Sequence, residues 1–156
     1  MTREERQPDT SVAGARDPAV LAWYRLVRVF DKIHHGSVGL LAQYGLTPAQ
    51  LNVLAQLSRH GAMSQQELAG RLLVSKGNVC GLIDRLERRG LVERCADRQD
   101  RRINMLHLSE AGRQLATLAV PAHEEFVRRQ LSSLSRSEQQ ELLALLSKLD
   151  RSLPSR

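Results

Sequence analysis

"LAGRLLVSKGNVCGLIDRLERRG", residues 68–90, holds two helical patterns separated by a break at about residues 73–75. In the second pattern Val79, Leu82, Ile83 and Leu86 recur at i, i+3, i+4 and i+7, the stripe of an amphipathic helix that faces a core. Asn78, Gly81, Arg85 and Arg88 recur on the opposite face. The spacing predicts a helix over 75–89, capped by Ser75, after a shorter helix over 64–72. Glycine in a helix costs roughly 1 kcal/mol relative to alanine. A merely solvated face would gain by avoiding Gly77 and Gly81, so close approach to another body is a physical reason for their presence. A helix entering a DNA major groove has this layout, with small residues at its N-terminal turn and positive charge where the groove walls rise. The Asn78 amide matches the N6 and N7 edge of adenine, and Lys76 has the length to reach guanine or phosphate. The competing reading is an ordinary amphipathic helix with a solvated face.

Working outward, helix starts are written plainly. Thr47-Pro48-Ala49-Gln50, Ser64-Gln65-Gln66-Glu67 and Ser135-Arg136-Ser137-Glu138 fit the capping box, in which hydroxyl and carboxylate or amide satisfy each other's backbone N–H groups. Ser109 is a simpler cap. These predict helices over about 48–60, 64–72, 75–89, 109–131 and 135–151, with Gly61 and Gly90 placed to end the helices before them. An earlier helix opens at Asp17-Pro18 and runs to about Gln43 with two apolar stripes. One is Val20, Trp23, Val27, Phe30, Val38 and Leu41; the other is Leu26, Val29, Ile33 and Leu40. One buried face needs one stripe, so the second points to a further partner such as another subunit. Residues 1–16 are polar and aperiodic, as in a flexible tail.

"LVERC" (91–95) and "INMLHL" (103–108) are short and richer in branched residues, and they predict a small β-hairpin. Its tip carries five charges within Asp97–Arg102. A hairpin directly after a groove-reading helix places its tip beside the same duplex. Arg101 and Arg102 are the candidates to enter the minor groove, and Arg98 to touch phosphate. Asp97 and Asp100 would be repelled by phosphate, so their expected task is to orient the arginines. The alternative is a solvated charged loop.

Composition permits this chemistry without requiring it. The 156 residues carry a net charge of +6, and all but three of the 23 basic residues are arginine, which suits bidentate contact with phosphate and guanine. Free use of arginine codons explains the same count. Aromatic residues make up 3%, so the core is aliphatic and favours helices. No stretch has the length of a membrane span and no signal-peptide pattern opens the chain, which sets the expectation of a cytoplasmic protein without a membrane partner. Cys80 and Cys95 have neither CxxC nor zinc-ligand spacing. "HEEFV" (123–127) is not HExxH, and His34 and His35 diverge on a helix, so neither a metal nor another cofactor is expected. No GxSxG, phosphate-cradling loop or nucleophile–base pair points to an enzyme.

The sequence resembles the multiple-antibiotic-resistance regulator (MarR) family of bacterial winged-helix transcription factors. The resemblance is carried by "GLTPAQLNVLAQL" (45–57), "MSQQELAGRLLVSKGNVCGLIDRLERRGLVER" (63–94), "DRQDRRINMLHLSEAGR" (97–113) and "LSRSEQQELLALLSKL" (134–149). It implies a mainly α fold with a small β-hairpin wing: a winged helix-turn-helix domain with N- and C-terminal dimerisation helices. On that basis 1–16 is a tail, 17–151 a single domain, and 152–156 a second tail. Within the domain, 17–44 and 109–151 are expected to dimerise and 45–108 to form the DNA-binding lobe. It also implies a homodimeric repressor on a palindromic operator, released by a small-molecule effector. Helix 75–89 would then read the major groove and wing 96–103 the minor groove, with Ser75, Lys76, Gly77, Asn78, Gly81, Arg85, Arg88, Arg98, Arg101 and Arg102 in contact with double-stranded DNA. Trp23, His34, His35 and Arg113 are the candidates to line an effector pocket, with packing as the alternative for Trp23. The residues themselves add support for pairing: Leu142, Leu143, Leu145, Leu146 and Leu149 make the last helix too apolar for one narrow contact, and Phe126 and Leu131 extend that supply. Thiol sensing at Cys80 is physically possible. An enzyme is the main competitor from another class, and a likelier alternative is a winged-helix protein–protein interaction module, which would more often present apolar residues where Asn78 and Arg85 stand.

Overall fold

The computed structural model describes residues 17–72, 76–96 and 104–154. Ser75 and the charged segment 97–103 lie outside the described residues. The chain divides into two units, one ending at His34 and the other beginning at His35.

In the first unit the described residues form the N-terminal part of helix α1 (Pro18–Ala42). Asp17 caps it as expected, its carboxylate accepting from the Ala19 N–H at 2.8 Å. Pro18 follows, where a missing N–H costs nothing. Val20, Trp23, Val27 and Phe30 of one stripe and Leu26 and Val29 of the other are all exposed, and Ile33 is half-buried. The Phe30 ring stacks on His34 with centroids 5.4 Å apart. Farther along the helix, in the second unit, Leu41 is buried while Val38 stays exposed.

The second unit continues with α2 (Pro48–His60), β1 (Met63–Ser64), α3 (Gln65–Leu72), α4 (Lys76–Arg88), β2 (Val92–Ala96), β3 (Asn104–Leu108), α5 (Glu110–Gln130) and α6 (Arg136–Ser152). The three capping boxes form as their spacing requires. Thr47 and Gln50, and Ser135 and Glu138, exchange both bonds. The Ser64 N–H donates to Glu67 at 2.7 Å while the Glu67 N–H donates to the Ser64 hydroxyl at 3.2 Å. Gly61 and Gly90 take φ of +74° and +66° at the ends of α2 and α4, a conformation glycine adopts without the Cβ clash that penalises other residues.

The strands differ from expectation in number. β2 and β3 form the hairpin, from Val92 opposite Leu108 to Ala96 opposite Asn104. A third strand, β1, pairs antiparallel with the outer edge of β3, Met63 opposite Leu106 and Ser64 opposite Met105. Two residues have no readable alternation, and their partners lie about forty positions away, so no local pattern marks them.

One aliphatic core unites these elements. Leu41, Leu54, Leu68, Val79, Ile83, Leu86 and Leu106 are fully enclosed, each contributing on the order of 1.5–3 kcal/mol by leaving water. The first turn of α5 is jammed against the corner between α4 and β2. The Ser109 hydroxyl donates to the Gly90 carbonyl at 2.5 Å and accepts from the Gly112 N–H at 3.0 Å, and the Ser109 N–H donates to the Leu91 carbonyl. A Cβ on Gly112 would sit 1.9 Å from the Leu91 oxygen, so only glycine fits there. Near the other end of α5, Phe126 lies against Gly36, and His123 shares a 2.8 Å hydrogen bond with buried Ser37. The expected role of Phe126 as interface material is thus partly taken up inside the chain. No residue of α6 is buried, and Leu142, Leu143, Leu145, Leu146 and Leu149 are exposed.

Candidate nucleic-acid interface

Helix α4 divides into two faces as its spacing requires. Val79, Leu82, Ile83 and Leu86 are buried, whereas Gly77, Asn78, Arg85 and Arg88 are exposed and Gly81 is half-buried. A methyl group on Gly77 or Gly81 would meet nothing within 4 Å. Packing among the described residues therefore gives no reason for either glycine, unlike Gly112. Lys76 opens the helix.

Three neighbours hold α4 in place. From the start of α3, the Gln65 amide donates to the Cys80 sulfur at 2.6 Å. At its far end, Arg89 donates to the Gly45 carbonyl at 2.6 Å, reaching the turn between α1 and α2. Gly45 has φ of +63°. On the side of the hairpin, Arg94 of β2 contacts Asp84 and Glu87 of α4. Its guanidinium is held above its ordinary pKa, chiefly by the hydrogen bond to Asp84, against a smaller opposing effect of burial. Sequence reading singled out none of Gln65, Arg89 and Arg94 as contacts of the helix, because each is remote in sequence from the group it holds or reaches over a chain reversal.

The paired part of the hairpin ends at Ala96 and Asn104. Asp97, Arg98, Asp100, Arg101 and Arg102 belong to the segment linking those two residues and, with Ser75, lie outside the described residues.

Of the effector candidates, Trp23 and His34 stand on the first unit, both exposed. His35 is exposed at the start of the second. Arg113 lines an open cleft of about 370 Å³ with Leu57, Ser58, His107 and Thr117. Its guanidinium is committed to its own surroundings, with Nη1 donating to the Leu108 carbonyl at 2.8 Å and Nη2 to Glu110 at 2.9 Å. That bond in turn holds the Glu110 carboxyl below its usual pKa.

Among the described residues no group of three or more His, Cys, Asp or Glu side chains is placed to hold a metal ion. No helix among them is long and apolar enough to cross a membrane. Cys80 and Cys95 are free thiols.

Comparison with known proteins agrees with this geometry. Residues 44–103 match the model of the MarR family. The HTH-type transcriptional repressor MdtR of Bacillus subtilis is 32% identical over 124 residues, 80% of this chain and 80% of that protein. AbsC, a MarR family transcriptional regulator from Streptomyces coelicolor, is 27% identical with a TM-score of 0.81, covering 87% of this chain and 94% of that one. BpsR of Bordetella bronchiseptica, whose DNA binding is regulated by 6-hydroxynicotinic acid, is 28% identical with a TM-score of 0.71, covering 83% of this chain and 98% of that one. A helix-turn-helix with a polar, glycine-lightened outer face, a hairpin beside it and these relatives lead to one conclusion: the chain belongs to the MarR family of winged-helix, DNA-binding transcriptional regulators.

Proposed function

We propose that the protein is a cytoplasmic, homodimeric repressor that binds a palindromic operator and is released by a small-molecule effector. In this reading α4 enters the major groove. Asn78 reads a base edge, Lys76 reaches base or phosphate, Ser75 contacts the backbone at the helix start, and Arg85 and Arg88 meet the groove walls. Arg101 and Arg102 enter the flanking minor groove and Arg98 touches phosphate, with Asp97 and Asp100 orienting them.

The observation that carries the reading is the outer face of α4, where two glycines without any packing role among the described residues stand beside Asn78 and two arginines. Pairing is supported by the leucines of α6, which no described part of the chain buries, and by the exposed apolar residues of α1. An exposed apolar surface of this kind is covered by a partner far more often than left to water. Repression is supported by the likeness to MdtR, named as a repressor, and effector control by the likeness to BpsR, whose DNA binding responds to a small aromatic acid.

Selection of binding sites from random duplexes tests this directly. A two-fold symmetric site with half-sites about one helical turn apart is expected for a dimer with one reading helix per subunit. Recovery of unrelated sequences, or of a single unpaired half-site, would overturn it.

A further inference from the structure

Arg94 is the side chain that ties the hairpin to the reading helix. It leaves the middle of β2, is only 24% exposed, and its two terminal nitrogens diverge. One donates to Asp84 at 2.5 Å and the other to the Glu87 carboxylate. Asp84 and Glu87 are one helical turn apart on α4, so the planar fork of arginine spans the turn where a lysine ammonium would have to choose one acid. Among the described residues nearby, Arg85 and Arg88 lie exposed, and Arg89 is bound to the Gly45 carbonyl.

This arrangement has two consequences for a helix that lies against DNA. Two carboxylates that would repel phosphate are drawn to the hairpin side, and the single guanidinium offsets half of their charge there. The strand leading into residues 97–103 is also pinned to the helix two residues before the paired part of the hairpin ends. We infer that Arg94 is a positioning residue for operator recognition, gripping Asp84 and Glu87 so that the hairpin and α4 meet one duplex in a fixed register. The inference rests on the reading that both elements touch the same DNA. It assigns Arg94 no contact with DNA of its own.

The decisive variant removes the acids and leaves the arginine. Asp84→Asn combined with Glu87→Gln makes the protein more positive by two charges, which alone would tighten binding to any duplex. If the clamp positions the hairpin, operator affinity falls roughly tenfold while affinity for random duplex holds or rises. Operator binding equal to or tighter than the parent would overturn the proposal, as would parallel weakening on both duplexes. Arg94→Ala is expected to lose operator preference to a similar extent with an unchanged salt dependence, whereas a drop in the salt slope of about one phosphate would mark a direct contact and refute it. Arg94→Lys guards against a folding defect, because it keeps charge and stem. It should show an intermediate loss of preference, and full retention would count against the clamp. Circular dichroism and hydrodynamic size verify each variant. A parent protein with no sequence preference at all would remove the underlying DNA reading, an outcome distinct from failure of the clamp in a discriminating parent.

Discussion

Gly81→Ala separates stability from recognition by sign. Glycine is disfavoured in a helix interior because it forfeits more backbone freedom on folding, and alanine there gains about 1 kcal/mol. The added methyl would meet no atom within 4 Å, so no steric penalty offsets the gain. For a domain of this size that amounts to a rise of about 2–4 °C in the thermal midpoint. If α4 enters the major groove as proposed, the same methyl stands between the helix backbone and the groove floor. Lifting the helix enough to lose one base contact costs about 1–3 kcal/mol, or roughly tenfold in operator affinity. Thermal unfolding at fixed protein concentration and fluorescence anisotropy on an operator duplex read the two effects separately. The two effects should have opposite signs. A variant that is more stable and binds its operator as tightly as the parent would show that Gly81 does not face DNA.

Four further outcomes follow from the same geometry. Gly112→Ala, which forces a Cβ to within 1.9 Å of the Leu91 carbonyl oxygen, should lose about 3 kcal/mol of stability in chemical denaturation, since backbone on both sides leaves nothing to yield. Arg101→Ala and Arg102→Ala should each weaken operator binding by about 1–3 kcal/mol with helix content and size unchanged; unaltered binding at both would remove the wing tip from the contact. Burial holds the His123 pKa below the ordinary histidine value, so the unfolded chain binds the proton more readily and stability should fall as pH drops below about 6.5. Thermal midpoints at about pH 7.5 and about pH 5.5 should diverge less in His123→Gln than in the parent. Leu143→Glu with Leu146→Glu, which places charge on two exposed positions of α6, should give monomers by light scattering where the parent gives dimers.

What could be read from sequence was what is settled within a few residues. Ser135 and Glu138, or Thr47 and Gln50, meet because three residues of helix bring them together, and nothing elsewhere in the chain is needed. Gly61 and Gly90 are legible for the same reason. The inward face of α4 was equally plain, since four apolar residues at helical spacing have one place to go. Distant encounters were not legible. Met63 and Ser64 become a strand only because β3 returns beside them. Gly112 looks like any helical glycine until Leu91 is placed against it. Arg94 reads as one more surface arginine in "LVER" until the hairpin folds back along α4. The two apolar stripes of α1 announce two partners without saying which chain supplies either of them.

A helix whose leucines stay exposed among the described residues has a cost that falls on the newly made molecule. Until another surface reaches α6, Leu143 and Leu145 remain 66% and 59% exposed, the kind of sticky surface that chaperones hold and proteases find. Under the proposed pairing, scarce copies should turn over faster than abundant ones. The cellular lifetime of this regulator should rise with its own expression level, and a mutation that makes α6 polar should lengthen the life of solitary chains even as it abolishes their use.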